Sequence, residues 1–218
     1  MRELLDSDAI ESDDLVEATR KYGDLDGDKR SQFRELLADD DLRDSWVRVV
    51  SKDAVDIDSV KYGLDSVEQI EESASVDEFY IGRKVQEQEY PSSWDDVYPK
   101  NSIVTEYTLT DDVEFYRMYT KGGNDKAGRF LLGSTDDITT MSPTELQGKY
   151  AIPGDAPDTV AKADIPAGTT MRTGKVAAND FGSGGGQQFT LPKSQLPDLP
   201  EDWFEKAPEL TQKLTSDS

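Results

Sequence analysis

"TVAKADIPAGTTMRTGKVAANDFGSGGGQQFTL", residues 159–191, strings together three short runs rich in Val, Ile and Thr, broken first by Pro-Ala-Gly and then by a glycine cluster. Runs of this length between Gly, Pro and Asn predict antiparallel strands joined by turns. Three consecutive glycines, Gly184 to Gly186, stand directly before Gln187 and Gln188. Glycine loses the most conformational freedom on folding and brings no side chain to pack, so the run predicts a bend or a surface that something approaches closely.

Working upstream, the same texture recurs in "EFYIGRK", "SIVTEYTL", "VEFYRMY" and "RFLL", beginning near Asp77. Before that point the pattern is helical. Ser12 is placed to cap a helix carrying Leu15, Val16 and Ala18, and "DDDLRDSWVRVVSK" sets Leu42, Trp46, Val49 and Val50 on one stripe. A further helix is expected over Ile57 to Ser73. The chain therefore reads as α+β: an acidic helical region over residues 1–76, then a compact, mainly antiparallel β domain with few helices over 77–218, its tail after Phe204 weakly ordered. No internal repeat is visible.

Charge is the extreme feature. The chain has 46 acidic and 24 basic residues, a net of −22, and the imbalance is concentrated in residues 1–112, which hold 31 acidic against 13 basic. The 16 Phe and Tyr and the patterned aliphatics still supply a core, so the acidity reads as a solvated surface suited to a high-salt cytoplasm, where counterions screen its self-repulsion. Nucleic acid and anionic membrane are poor partners for it. With neither Cys nor His, disulfides, thiolate metal sites and Ser-His or Cys-His nucleophiles are excluded. No run approaches the ~20 apolar residues of a membrane span, and the first residues lack a secretory signal's apolar core. The expectation is a protein cytoplasmic as synthesised, without membrane insertion, and delivered, if at all, without a classical signal peptide.

"DLDGDKRSQFRE" puts Asp24, Asp26, Asp28 and Glu35 at positions 1, 3, 5 and 12 of a calcium-loop spacing, but the sixth position is Lys29 where the turn needs glycine. A solvated interhelical turn that caps the next helix is the favoured reading, and no metal is expected. In "EFYRMY" strand alternation puts Phe115, Arg117 and Tyr119 on one face, and a cation among aromatics suits a phosphate. Alone, Arg117 reads more readily as a surface residue of an edge strand. "GGNDKAGRFLL" adds a glycine-rich turn leading to Arg129 and Phe130.

The order of these pieces, "YRMY", "GRFLL", "YAIP" and "FGSGGGQQF", resembles the tuberculosis necrotizing toxin family of NAD glycohydrolase domains over about residues 90–204. The resemblance implies that Arg117 and Arg129 contact the NAD pyrophosphate or ribose and that Phe130 and Phe181 form the dinucleotide cleft. It further implies that Gly182, Gly184, Gly185 and Gly186 present backbone N–H groups to the ligand, and that Gln188 is the glutamine needed for turnover. Where the family places an arginine before Ala-Leu-Pro this chain has Tyr150, with Lys149 beside it as a substitute cation. The implied activity is hydrolysis of NAD+ to nicotinamide and ADP-ribose by a toxin or effector that depletes NAD, with NAD+ as substrate, no cofactor, and an immunity protein as a possible partner. The absent histidine is compatible with that chemistry, because nicotinamide departs as a neutral group and needs no general acid. An ADP-ribosyltransferase would use the same dinucleotide, but such enzymes use a late-strand glutamate, and this chain has none between Glu145 and Glu201. A non-enzymatic acidic interaction module, with "GSGGGQQ" as a plain hairpin loop, is the third reading.

Overall fold

Four helices open the chain: α1 (Ser12–Gly23), α2 (Gly27–Ala38), α3 (Arg43–Val50) and α4 (Ile57–Ile70). The computed structural model that places them describes residues 10–121, 130–193 and 203–216. Aspartates start two of these helices, Asp26 accepting from Lys29 N and Asp56 from Ser59 N. In α1 the cap is Glu11, which forms a reciprocal capping box with Asp14, so Ser12 is the first helical residue and not the cap. The α3 stripe is buried as its spacing demands. Trp46 is fully inside, meeting Phe33 at 5.4 Å and Phe79 at 4.8 Å edge-on, and Tyr22 extends the chain of rings at 5.7 Å from Phe33.

The calcium-loop spacing is resolved by the same caps. Helix α2 begins at Gly27, so Asp28 already lies in its first turn and Glu35 two turns further along, while Asp24 caps the end of α1. These carboxylates cannot converge, and among the described residues no group of acidic side chains could hold a metal ion.

After the helices come β1 (Ala74–Ile81), α5 (Gly82–Glu89), β2 (Ile103–Leu109), β3 (Val113–Tyr119), β4 (Phe130–Leu131), α6 (Asp136–Thr140), α7 (Pro143–Tyr150), β5 (Thr159–Ile165), β6 (Thr170–Lys175), β7 (Gln187–Thr190), β8 (Phe204–Lys206) and α8 (Pro208–Ser216). All strand pairs are antiparallel, in sheets ordered β1-β2-β6-β7-β4 and β3-β5-β8. The fold is α+β. The sheets join at one corner, where Leu132, just after β4, exchanges hydrogen bonds of 2.9 and 2.7 Å with Tyr116 of β3.

Two expectations need correction. The boundary after residue 76 falls inside β1, at its bulge between Val76 and Glu78, and Phe79 and Ile103 complete the core of the four helices. The helical layer covers the β1 and β2 end of the larger sheet and shares its core with it. The tail after Phe204 is also built in: β8 pairs with β5, and Leu214 of α8 is buried beside Val160 and Leu146. Among the described residues no helix is long and apolar enough to cross a membrane.

Candidate active-site cleft

Where the two sheets part, a cleft of about 770 Å³ opens, within the range of small-molecule sites. Its floor runs from Gln188 on β7 across Leu131 and Leu132 to Arg117 on β3. Two strand spacings, roughly 10 Å, separate the backbones carrying Gln188 and Arg117. The walls are the segment after α5, the end of α7 and the segment after β6, which contribute Trp94, Tyr150 and Phe181.

Each side chain is aimed by local structure. Alternation along β3 sends Phe115 into the core at 5.2 Å from Phe189 and Met118 into a separate core with Leu132 and Val160, while half-buried Arg117 lines the cleft along with Met118 and Tyr119. Gln188 is only 5% exposed, and its Nε2 donates to Val97 O at 2.7 Å. That carbonyl also accepts from Ala177 N at 3.1 Å, and Val97 N donates to Gln86 Oε1 at 2.9 Å. One N–H of the amide is used by Val97, which orients the side chain and fixes where its oxygen lies. Gln187 takes the other face of β7 and donates to Thr173 Oγ1 at 3.1 Å.

The glycine run does a different job from the one expected. The N–H groups of Gly184 and Gly186 donate to Gly148 O and Lys149 O, the carbonyls at the end of α7, each at 3.0 Å. Those of Gly182 and Gly185 donate to Asn179 O and Val176 O at 3.3 and 3.0 Å. All four are therefore spent on protein. A Cβ on Gly184, whose φ is +66°, would lie 2.6 Å from Val176 O, and one on Gly186 would lie 2.7 Å from the Tyr150 ring. The run satisfies the orphan carbonyls of a helix end and seats Tyr150, so the close approach is by α7 and by Val176 and Ala177, and not by a ligand.

Lys149 does not line the cleft. Its Nζ lies 2.6 Å from Asp137 Oδ2 of α6, and the Tyr150 hydroxyl donates to that same oxygen at 2.5 Å. Burial pushes the Tyr150 phenol well above its ordinary range, and the bond to Asp137 adds to this, so Tyr150 serves as a neutral wall. Asp137 itself is opposed by burial, but the Lys149 and Tyr150 bonds prevail and hold its carboxyl below its usual value. Arg129 lies outside the described residues, as does the "GGND" turn; Phe130 pairs its backbone with Thr190.

Several cleft residues escaped the sequence reading, the most prominent being Trp94. Trp94, in the loop "PSSWDDVY", is 49% exposed, and Phe181 is 43% exposed; both line the cleft. Their loops are held in place. Asn179 accepts from Phe181 N and donates to Ala151 O, each at 2.8 Å, and Gln86 brackets the Trp94 loop through Asp95 O and Val97 N. Large apolar side chains left half in water by pinned backbones are the signal, and only the fold reveals it. Asp95, Asp96 and Asp155 also line the cleft. Comparison with protein-family models, with curated proteins and with solved structures finds no match to this chain.

Proposed function

We propose that this cleft binds NAD+ and hydrolyses the bond between nicotinamide and ribose. Water adds its oxygen to ribose C1′, the C–N bond breaks with its electron pair passing to the nicotinamide nitrogen, and one proton is released to solvent. The observation that carries the reading is the convergence of Arg117, Tyr150, Phe181 and Gln188 on one cleft, with Gln188 held at its floor. Neutral nicotinamide leaves without a proton donor, so the site must steady a ribosyl cation as the bond lengthens, the same demand that glycoside cleavage makes. The Gln188 carbonyl dipole, fixed by its bond to Val97, supplies that at no reorganisation cost. Arg117 offers a forked cation to the pyrophosphate at the other end of the floor. No glutamate is among the described lining residues, which favours water over a transferred acceptor.

The test is incubation of the full chain with NAD+ at low and at molar KCl, followed by separation of nicotinamide, ADP-ribose and intact dinucleotide. Equimolar nicotinamide and ADP-ribose is the expected result. Folded protein that leaves NAD+ intact at both salts would sink the proposal.

A further inference from the structure

Resting on that reading, we infer that Trp94 and Phe181, with Asp95 next to Trp94, select the positively charged pyridinium ring of the oxidised dinucleotide over the neutral ring of the reduced one. Both aromatic rings line the cleft and are about half exposed, on loops whose backbones are tied down. A flat cation placed against such faces gains a cation–π attraction that a neutral ring does not.

Charge points the same way. Among the described lining residues Arg117 is the cation and Asp95, Asp96 and Asp155 are the anions. Asp96 lies 3.5 Å from Lys100, whereas Asp95 and Asp155 form no ion pair within the described residues. Trp94, Asp95 and Asp96 sit on the loop tied to β7 through Val97, beyond β4 from Arg117. The Gln188 end of the cleft is thus aromatic and acidic through Trp94, Asp95 and Asp96, while the β3 end holds the cation Arg117 together with Asp155, whose backbone carbonyl accepts from Thr120 Oγ1 at 3.2 Å. NAD+ is polarised in the matching sense, with its pyridinium on the ribose that is cleaved and its negative charge on the pyrophosphate. Cleavage also abolishes the attraction, because nicotinamide leaves neutral. The same residues that hold the substrate ring let the product go.

The experiment uses carba-NAD+, in which a methylene replaces the ring oxygen of the nicotinamide ribose so that no ribosyl cation can form, and its dihydro form. Affinities for the full chain are measured by calorimetry, beside nicotinamide release from ordinary NAD+. The oxidised analogue is expected to bind about ten-fold more tightly or better. That ratio should fall toward one in Trp94→Ala and in Asp95→Asn, both exposed positions whose replacement leaves the core intact. Equal affinities in a protein that cleaves NAD+ would overturn the inference and leave the proposed reaction standing. A preference for the oxidised analogue in a protein that cleaves nothing would do the reverse. A preference that survives both substitutions would overturn the assignment to these residues.

Discussion

The four-helix layer and the cleft use the same kinds of residue for opposite ends. In the helical layer the rings of Tyr22, Phe33, Trp46 and Phe79 meet edge to face, and three of them are fully buried. Around the cleft the pattern inverts: Trp94 and Phe181 stand half in water while the polar Gln188 is buried at the floor. A protein optimised only for stability buries its aromatics and exposes its glutamines, since each unmade contact or unsatisfied amide costs folding free energy. The rings of the helical layer follow that rule, although α1 leaves Leu15 and Val16 exposed. The cleft breaks it at the residues to which the proposed function gives a ligand.

The largest expected effect follows from the contact between the two regions. A chain beginning near residue 77 loses α1 to α4 and half the bulge of β1, exposing Phe79 and Ile103, so it should fail to fold; circular dichroism and gel filtration check this. A soluble, cooperatively melting fragment would make the helical layer a true separate domain.

Trp46→Ala and Gln188→Ala should separate the regions most sharply. The first empties the centre of the helical core and should cost about 3–5 kcal/mol of stability, read as a fall in the urea midpoint, while the surviving folded protein turns over NAD+ normally. The second should lower kcat about 10²-fold or more with little change in affinity, the mark of an interaction made mostly in the transition state. If Trp46→Ala silenced catalysis in folded protein, the division of labour would be false. Gln187→Ala, on the far side of β7, is the control.

Salt gives an intermediate effect. Of the net −22, residues 1–112 carry −18, so raising KCl from dilute to molar should raise the melting temperature by several degrees as screening relieves repulsion over the helical layer and the β1–β2 edge it covers. A melting temperature that falls steadily with KCl would remove the high-salt reading of the composition.

What the sequence could reveal follows the same division. Leu42, Trp46, Val49 and Val50 were legible because helical burial is written in local period, and the runs that became β2, β3, β5, β6 and β7 were legible from their β-branched texture and punctuation. Helix α5 was missed because "EFYIGRK" runs a strand straight into its first turn, with Gly82 packed under Pro99 O. The meeting of Arg117 and Gln188 rests on the corner at Leu132, a tertiary event with no local signature. The glycines announced that no Cβ would fit, but not that α7 was the neighbour taking the space. Trp94 sits in an irregular loop, where periodicity has nothing to report.

The smallest effect tests the seam beside the cleft, where Asp137 binds both Lys149 and Tyr150. Because its carboxyl is held below its ordinary value in the folded state, its contribution is fully present above the unfolded value of about 4 and fades as pH falls through the lower folded value. Asp137→Asn removes the charge but keeps an acceptor for the Tyr150 hydroxyl, so at neutral pH it should cost about 1 kcal/mol, seen as a small shift in urea midpoint. That difference should shrink toward zero as pH is lowered below 4, because wild-type Asp137 then becomes neutral too. Turnover at neutral pH should drop only slightly, since Tyr150 is a wall and not an acid or base. A difference that stays constant down to acid pH would mean that the α6–α7 seam is held by shape alone, and that Asp137 does not set the position of Tyr150 through its charge.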